Sequence, residues 1–376
     1  EPFMKAVPTI SNLKLRASYG QMGNEGIGNF ATISTYVAGG NTVLGGQIVN
    51  GAEPARLPNP DLKWETTAEY NLGIDFGIFD NRISGSVEYY TKKTFDQLFD
   101  KPVPTSTGFS SILTNFGSVS NAGFDVSLNT QNLTGKLQWT TGINFSTLKN
   151  KVVQLPPYIG QIISGGIIAN IPGFALVQQG YPMYAFYGYK VTGIFQQNDD
   201  IAHSAQPGAK PGEPKFLDKN ADGKIDASDR VVLGSPFPKF TYSFTNTFTY
   251  KNLSLSIFLM GVRGIKTFNG NIVESMFPIN FNRNIMSKYY LRRWTPQTPN
   301  TGLPSGDNSS VYFGNGKMIN NYSIQDASFL RLKNLSLSYE VPLRSTAVFR
   351  ELTLSVVGEN VFTITNFDGY DPDANQ

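Results

Sequence analysis

Tyr70, Leu72, Ile74, Phe76 and Ile78 share one parity of the chain, and Asn71, Gly73, Asp75 and Gly77 share the other. A period of two puts each set on its own face of an extended strand, so one face is apolar and the other small and polar. The next segment repeats the pattern after a turn at residues 79–82: Ile83, Val87 and Tyr89 oppose Ser84, Ser86 and Glu88. Nine such segments are legible, near residues 13–20, 66–78, 82–94, 122–130, 136–148, 240–248, 253–259, 328–340 and 352–361. In the eighth the parity slips around Lys333–Asn334, which predicts a bulge.

The connections alternate short and long. Tight turns follow the segments ending near residues 78, 130 and 250, while the links after the segments ending near residues 20, 94, 148 and 259 are long and polar. The longest spans about residues 150–239 and holds a strand-like piece at residues 183–195; another, about residues 265–327, has a helical stretch near residues 284–294. A soluble sandwich would scatter its loop lengths over both ends. Short turns on one side and long loops on the other mark a membrane β-barrel. The expected fold class is therefore all-β, a transmembrane antiparallel β-barrel with long extracellular loops. Lipid does not tolerate an open sheet edge, and single-chain bacterial barrels have even strand counts. Nine strands thus predict a partial wall, completed by further strands.

Composition removes several alternatives. With 31 Lys and Arg against 28 Asp and Glu in 376 residues, the net charge of +3 gives no basic face for nucleic acid. There is no cysteine, hence no disulfide or thiol chemistry, and His203 is the sole histidine. No run of about 18 apolar residues exists for a transmembrane helix, which leaves a β-barrel untouched. Aromatic content of 13% suits girdles at two bilayer interfaces.

The sharpest local motif runs from Asp218 to Asp229. Asp218, Asn220, Asp222, Asp226 and Asp229 stand at loop positions 1, 3, 5, 9 and 12, Gly223 at the turn position 6, Lys224 at position 7 and Ile225 at the anchoring position 8. This is the pattern of an EF-hand-type Ca²⁺ loop, with Asp for Glu at position 12 as in the dockerin variant. A hard cation prefers six to eight oxygens, and the Lys224 carbonyl would add one. The expected cofactor is a structural Ca²⁺, with Mg²⁺ the alternative; the competing reading is a solvated acidic turn. No amphipathic helix pair flanks the loop, so it is expected to staple a long loop rather than signal.

Asp75, Glu88 and Asp125 fall on polar strand faces. Paired carboxylates can hydrolyse glycosides, but without an acid–base pattern they are expected to line a wet lumen. Tyr158, Tyr181, Tyr184, Tyr187 and Trp294 lie in the long connections. They could stack on a sugar or peptide solute, or simply pack their loops.

Several strings then resemble one family. Asn59-Pro60-Asp61-Leu62-Lys63-Trp64-Glu65-Thr66 and Asn115-Phe116-Gly117-Ser118-Val119-Ser120-Asn121-Ala122-Gly123 look like segments of SusC/RagA-type TonB-dependent outer-membrane transporters of Bacteroidota. So do the acidic loop with Leu233-Gly234-Ser235-Pro236-Phe237-Pro238, the run Phe329–Tyr339, and Gly358-Glu359-Asn360-Val361-Phe362 with Gly369-Tyr370-Asp371-Pro372. The resemblance implies that residues 1–376 are the C-terminal part of a roughly 22-stranded barrel, with the plug domain, the TonB box and the final strand outside them. It further implies location in the cell outer membrane, no enzymatic activity, and energy-coupled import of an oligosaccharide or peptide. The implied partners are a SusD-like lipoprotein lid, TonB–ExbB–ExbD and outer-membrane lipid. The rival reading is a soluble, secreted carbohydrate-binding or adhesin module with a Ca²⁺-stapled loop.

Overall fold

The computed structural model describes residues 9–164, 173–272, 284–306, 319–343 and 351–373. Nine antiparallel strands form one sheet in chain order: β1 (Ile10–Asn24), β2 (Glu65–Ile78), β3 (Ile83–Phe95), β4 (Ser118–Thr134), β5 (Leu137–Thr147), β6 (Phe240–Tyr250), β7 (Leu253–Arg263), β8 (Phe329–Glu340) and β9 (Thr353–Thr365). Each pairs with its neighbour in sequence. A further strand, Lys149–Gln154, carries β5 past Leu148 and pairs with the start of β4. β1 and β9 are the two edges of the sheet and do not pair with each other.

All nine expected strands are present, and several run longer than their alternation showed. β4 has 17 residues, from Ser118 to Thr134, against the expected 122–130. Its first turns of pleat read Ser-Val-Ser-Asn, with little contrast between faces, so parity there is silent although the backbone ladder continues. The bulge lies where the parity slipped: the β8–β9 register jumps between Leu332 and Asn334, with Asn360 opposite at φ 49°.

The apolar parity is uncovered. Leu15 is 75% exposed, Leu72 60% and Val356 75%. A sandwich would bury these side chains against a second sheet, so the exposure argues for a lipid-facing surface. The register aligns the faces across strands: Leu15, Ile74, Val87, Val126, Phe145 and Tyr242 form one outward row, and Arg16, Gly73, Glu88, Asp125, Ser146 and Thr241 the adjoining inward row. β6 has 11 residues, the length a tilted strand needs to cross the hydrocarbon.

Aromatic pairs bracket the outward face. Tyr19–Tyr70, Tyr89–Phe124 and Phe145–Phe240 lie towards the long-loop end, with centroids 4.6, 5.0 and 5.5 Å apart. Trp139 stacks on Phe248 at 5.4 Å towards the short-turn end. There the outward polar groups satisfy one another: Trp139 Nε1 donates to Asn246 Oδ1 (3.0 Å), as does Thr141 Oγ1 (2.8 Å), which accepts from Asn132 Nδ2 (2.7 Å).

The long connections gather at one end of the wall. The expected strand at residues 183–195 is two strands, Ala185–Gly188 and Val191–Ile194. The first joins a four-stranded sheet with Ile162–Ser164, Ala175–Val177 and Val231–Gly234. The expected helix is present as α1 (Ser287–Arg292). Phe186, Ile272, Tyr289, Ile319 and Ile324 form the core beneath these loops, so the assembly over the wall has an apolar interior of its own.

Candidate functional site

The inward face of the wall carries the charge. Arg16 on β1 meets Asp75 on β2 (Nε to Oδ2, 2.9 Å) and Glu88 on β3 (Nη1 to Oε2, 3.0 Å). It reaches Glu88 by lying across β2 at Gly73, where a β-carbon would stand 3.1 Å from the guanidinium. Asp125 sits directly opposite Glu88 and accepts from the Ser146 hydroxyl. Like charges opposite each other repel; Arg16 and Ser146 each relieve one of the two. Glu88, Asp125, Ser127, Asn144, Ser146 and Ser243 line a recess of about 580 Å³, and a second recess of about 460 Å³ holds Ser84, Asn129, Asn144 and Thr245. Small hydroxyls and amides give a solute hydrogen bonds without a strong anchor. The expected lumen-lining carboxylates are all on this face; their cation Arg16 was legible only as a polar-parity residue.

The acidic loop hangs from the assembly above. Ile225 is buried with Tyr189, Val191 and Phe216, as its anchoring position requires. Gly223 has φ +79°, a conformation in which a β-carbon is strained. Asp218 accepts the backbone N–H groups of Asp222 (3.3 Å) and Gly223 (2.9 Å). The Lys224 N–H donates to Asp222 (2.9 Å). Asp229 is fully buried and accepts from the N–H groups of Lys219 (2.9 Å) and Asp226 (2.7 Å). Asn220 donates to Asp222 (2.9 Å) and to Ser228 (3.1 Å). Among the described residues no three His, Cys, Asp or Glu side chains gather at metal-holding distance. The donor types and the turn at Gly223 suit a hard cation, but Asp218, Asp222 and Asp229 are turned to backbone N–H groups and would have to draw inward to ligate one.

The aromatic candidates separate. Trp294 is interior, 6% exposed; its indole N–H donates to Gln196 Oε1 (3.0 Å), and its ring covers Gly212. That packing leaves no free ring face for a solute. Tyr187 is half-buried, and burial raises the pKa of its phenol, with Arg230, Tyr189 and Tyr181 nearby. Tyr181 and Tyr184 are exposed. Tyr158 is exposed too, with Lys101 Nζ 4.8 Å above its ring.

Two groups of residues gain a role only from the structure. The strings around Asn59 and Asn115 interlock at the rim. Asn59 Nδ2 donates to the Leu113 carbonyl (2.8 Å), Asn115 Nδ2 to those of Lys63 (2.7 Å) and Asp96 (2.8 Å), and the Lys63 N–H to Asn115 Oδ1 (2.6 Å). Asn115→Ala removes three of these bonds. It is expected to speed proteolysis of residues 96–117 by about a hundredfold, at about 1 kcal/mol per bond, while the gel mobility of the folded wall stays unchanged. Equal cleavage rates would refute the stitch. The second group is Arg331, 5% exposed on the inward face of β8, which pairs with Asp371 and with Asp373 (2.9 Å). No local pattern joins residues 40 positions apart.

The comparisons agree with this geometry. Residues 8–361 match the family model described as TonB dependent receptor-like, beta-barrel. TonB-dependent receptor P3 of Formosa agariphila is 34% identical over 387 aligned positions, covering 100% of this chain and 37% of its own length. TonB-dependent receptor SusC of Bacteroides thetaiotaomicron is 28% identical, covering 99% of this chain and 36% of its own. A solved structure of the RagAB peptide transporter superposes with TM-score 0.75 at 26% identity, covering 96% of this chain and 38% of that one. The RagAB peptide importer in its open-open state superposes at 0.78 with 24% identity, covering 99% and 38%, a likeness of fold. The chain thus spans little more than a third of the length of the curated relatives it matches. With a nine-strand antiparallel wall and a model match over residues 8–361, the chain belongs to the TonB dependent receptor-like β-barrel family.

Proposed function

We propose that residues 1–376 form the C-terminal part of the barrel wall of an outer-membrane transporter that imports an oligosaccharide or peptide, energised through TonB–ExbB–ExbD. The observation that carries this reading is the wall itself: one apolar face left uncovered, and one inward face that carries hydroxyls, amides and paired charges from β1 to β6 and turns apolar at Phe258, Met260 and Val262 of β7. Both open edges need partner strands in lipid, and further strands are proposed to supply them; the plug and the TonB-contacting segment belong to the reading through the family resemblance alone. The RagAB peptide transporter, by its name, supports a peptide as solute; the oligosaccharide alternative and a SusD-like lipoprotein over the long loops rest on the resemblance of the sequence strings. No covalent chemistry and no nucleic-acid partner are assigned.

Deleting the whole transporter from its host should abolish uptake of one labelled oligosaccharide or peptide class, and a proton uncoupler should do the same in the parent strain. Uptake that survives both treatments across oligosaccharides and peptides would refute import. A chain recovered in the aqueous phase without detergent would favour a secreted binding module.

The acidic loop is proposed to hold Ca²⁺, with Mg²⁺ the weaker competitor, through Asp218, Asn220, Asp222, Asp226, Asp229 and the Lys224 carbonyl. Its role is to pin the connection between β5 and β6. At free Ca²⁺ a hundredfold above Kd the loop gains about 2.7 kcal/mol, so chelation should speed its cleavage by roughly a hundredfold. An absence of calorimetric heat, together with cleavage indifferent to chelator, would leave the loop as a solvated turn.

A further inference from the structure

We infer that Lys93, Lys149 and Lys151 form a docking site for the phosphate of a lipid headgroup, on the outer surface of the wall. The inference rests on the outer-membrane reading above. Ser120 of β4 is paired with Lys93 on one side and Lys151 on the other, and Ala122 with Thr91 and Lys149. Cross-strand partners point to the same face, so the three lysines share one. With strands about 4.8 Å apart and residues about 3.4 Å apart along them, Lys93 and Lys151 lie roughly 10 Å from each other and Lys149 roughly 7 Å below Lys151.

That face looks outward. Its parity is that of Tyr89, Phe124 and Leu72, which are exposed. The opposite parity at the same height is Val119 and Val152, buried at 6% and 1% beneath the loop assembly with Val177. All three lysines are exposed, and among the described residues none pairs with a carboxylate. The other outward positions there are Thr66, Ala68, Tyr70, Thr91, Phe95, Ser118, Ser120 and Ala122, of which the small Ala68 and Ser118 are buried, so the patch holds no acid and the lysines are its exposed charges. Lys93 Nζ sits 5.2 Å from the Phe95 ring.

Depth and charge select the occupant. Interfacial aromatics mark the headgroup level, and the lysines stand two to four residues beyond Tyr89 and Phe124 towards the long loops. Three unpaired cations at that level complement a phosphate monoester. A solute crossing the lumen never meets this surface.

The test uses the full-length transporter in detergent micelles, offered phosphatidic acid or phosphatidylcholine, with retained lipid counted by native mass spectrometry. Wild type should hold phosphatidic acid in clear preference. A lysine near anionic headgroups contributes about fivefold, so Lys151→Gln should weaken retention by about that factor. The triple change Lys93→Gln, Lys149→Gln, Lys151→Gln should reduce it to the phosphatidylcholine level. Lys136→Gln with Lys251→Gln, at the short-turn end, should match wild type. No preference in wild type, equal loss in the control pair, or displacement of the lipid by millimolar inorganic phosphate would overturn the site. Heat-modifiable mobility, read on the same samples, separates the two failures: a folded barrel without lipid preference sinks the lysine site alone, whereas a chain soluble without detergent sinks the outer-membrane reading.

Discussion

Arginine in place of Ile74 or Leu259 is expected to destabilise the transporter by about 2–4 kcal/mol in a bilayer. Ile74 is 44% exposed on the outward row between the aromatic belts. Leu259 is paired with Phe244 and Leu332 on the same face. At either position the guanidinium meets hydrocarbon and has no inward route, because the side chains of a strand alternate strictly. Arginine at Ser127 or Thr245 should be nearly neutral. Ser127 lines the recess that holds Glu88 and Asp125, and Thr245 the neighbouring one; a cation at the first even gains carboxylate company. The measurement is urea unfolding of the full-length protein from liposomes, followed by heat-modifiable mobility. A 2–4 kcal/mol loss is roughly a 30- to 1,000-fold change in the folding equilibrium, far above the error of the assay. Equal costs at the two pairs would mean that the faces are assigned wrongly.

Those faces were legible because a barrel strand writes its environment into parity, two residues at a time. Lys333 was legible for the same reason, as the place where parity breaks. Strand ends were not: at Ser118–Asn121 water or loops surround both faces, and alternation has nothing to report. The acidic loop was legible because its chemistry is contiguous in sequence. Trp294 shows the opposite case. Its partner Gln196 is 98 residues away, and no period in a Pro- and Thr-rich stretch distinguishes a ring packed on Gly212 from one turned to solvent. Arg16 could be given a face but not its two carboxylates, since the register that delivers Glu88 also depends on Gly73 being bare. The lysines at 93, 149 and 151 carried no signal until pairing placed two strands either side of Ser120.

Arg331→Met is expected to release the segment that follows β9, lowering stability by about 2–3 kcal/mol. Breaking a fully buried pair costs about 3–5 kcal/mol, and Asp371 is 44% exposed, which reduces the penalty. The segment is held at three points. Phe367 packs on the cluster of Val262, Ile265, Ala327 and Phe329; Asp368 accepts from Lys288 Nζ (2.6 Å) and the Tyr289 hydroxyl (2.9 Å); Asp371 and Asp373 take Arg331. The backbone N–H of Asp373, then Arg331, hold the Asp371 carboxyl below its ordinary pKa. For Asp368, burial pushes upward but is outweighed by the hydrogen bonds from Lys288 and Tyr289, so its pKa is lowered too. A depressed folded-state pKa stabilises above the unfolded value, about 3.9, and that stability is lost as pH falls through the folded value. Hydrogen exchange of residues 366–373 should therefore be slow and flat from pH 7 to about pH 4.5, after correction for intrinsic rates, and should open below about pH 4. In Arg331→Met the protection should already be low at neutral pH and its acid dependence shallower, with Asp368 and the Asp373 N–H bond to Asp371 supplying the remainder. Protection unchanged by the substitution at pH 7 would show that Phe367 and Asp368 suffice and that the buried guanidinium holds nothing in place.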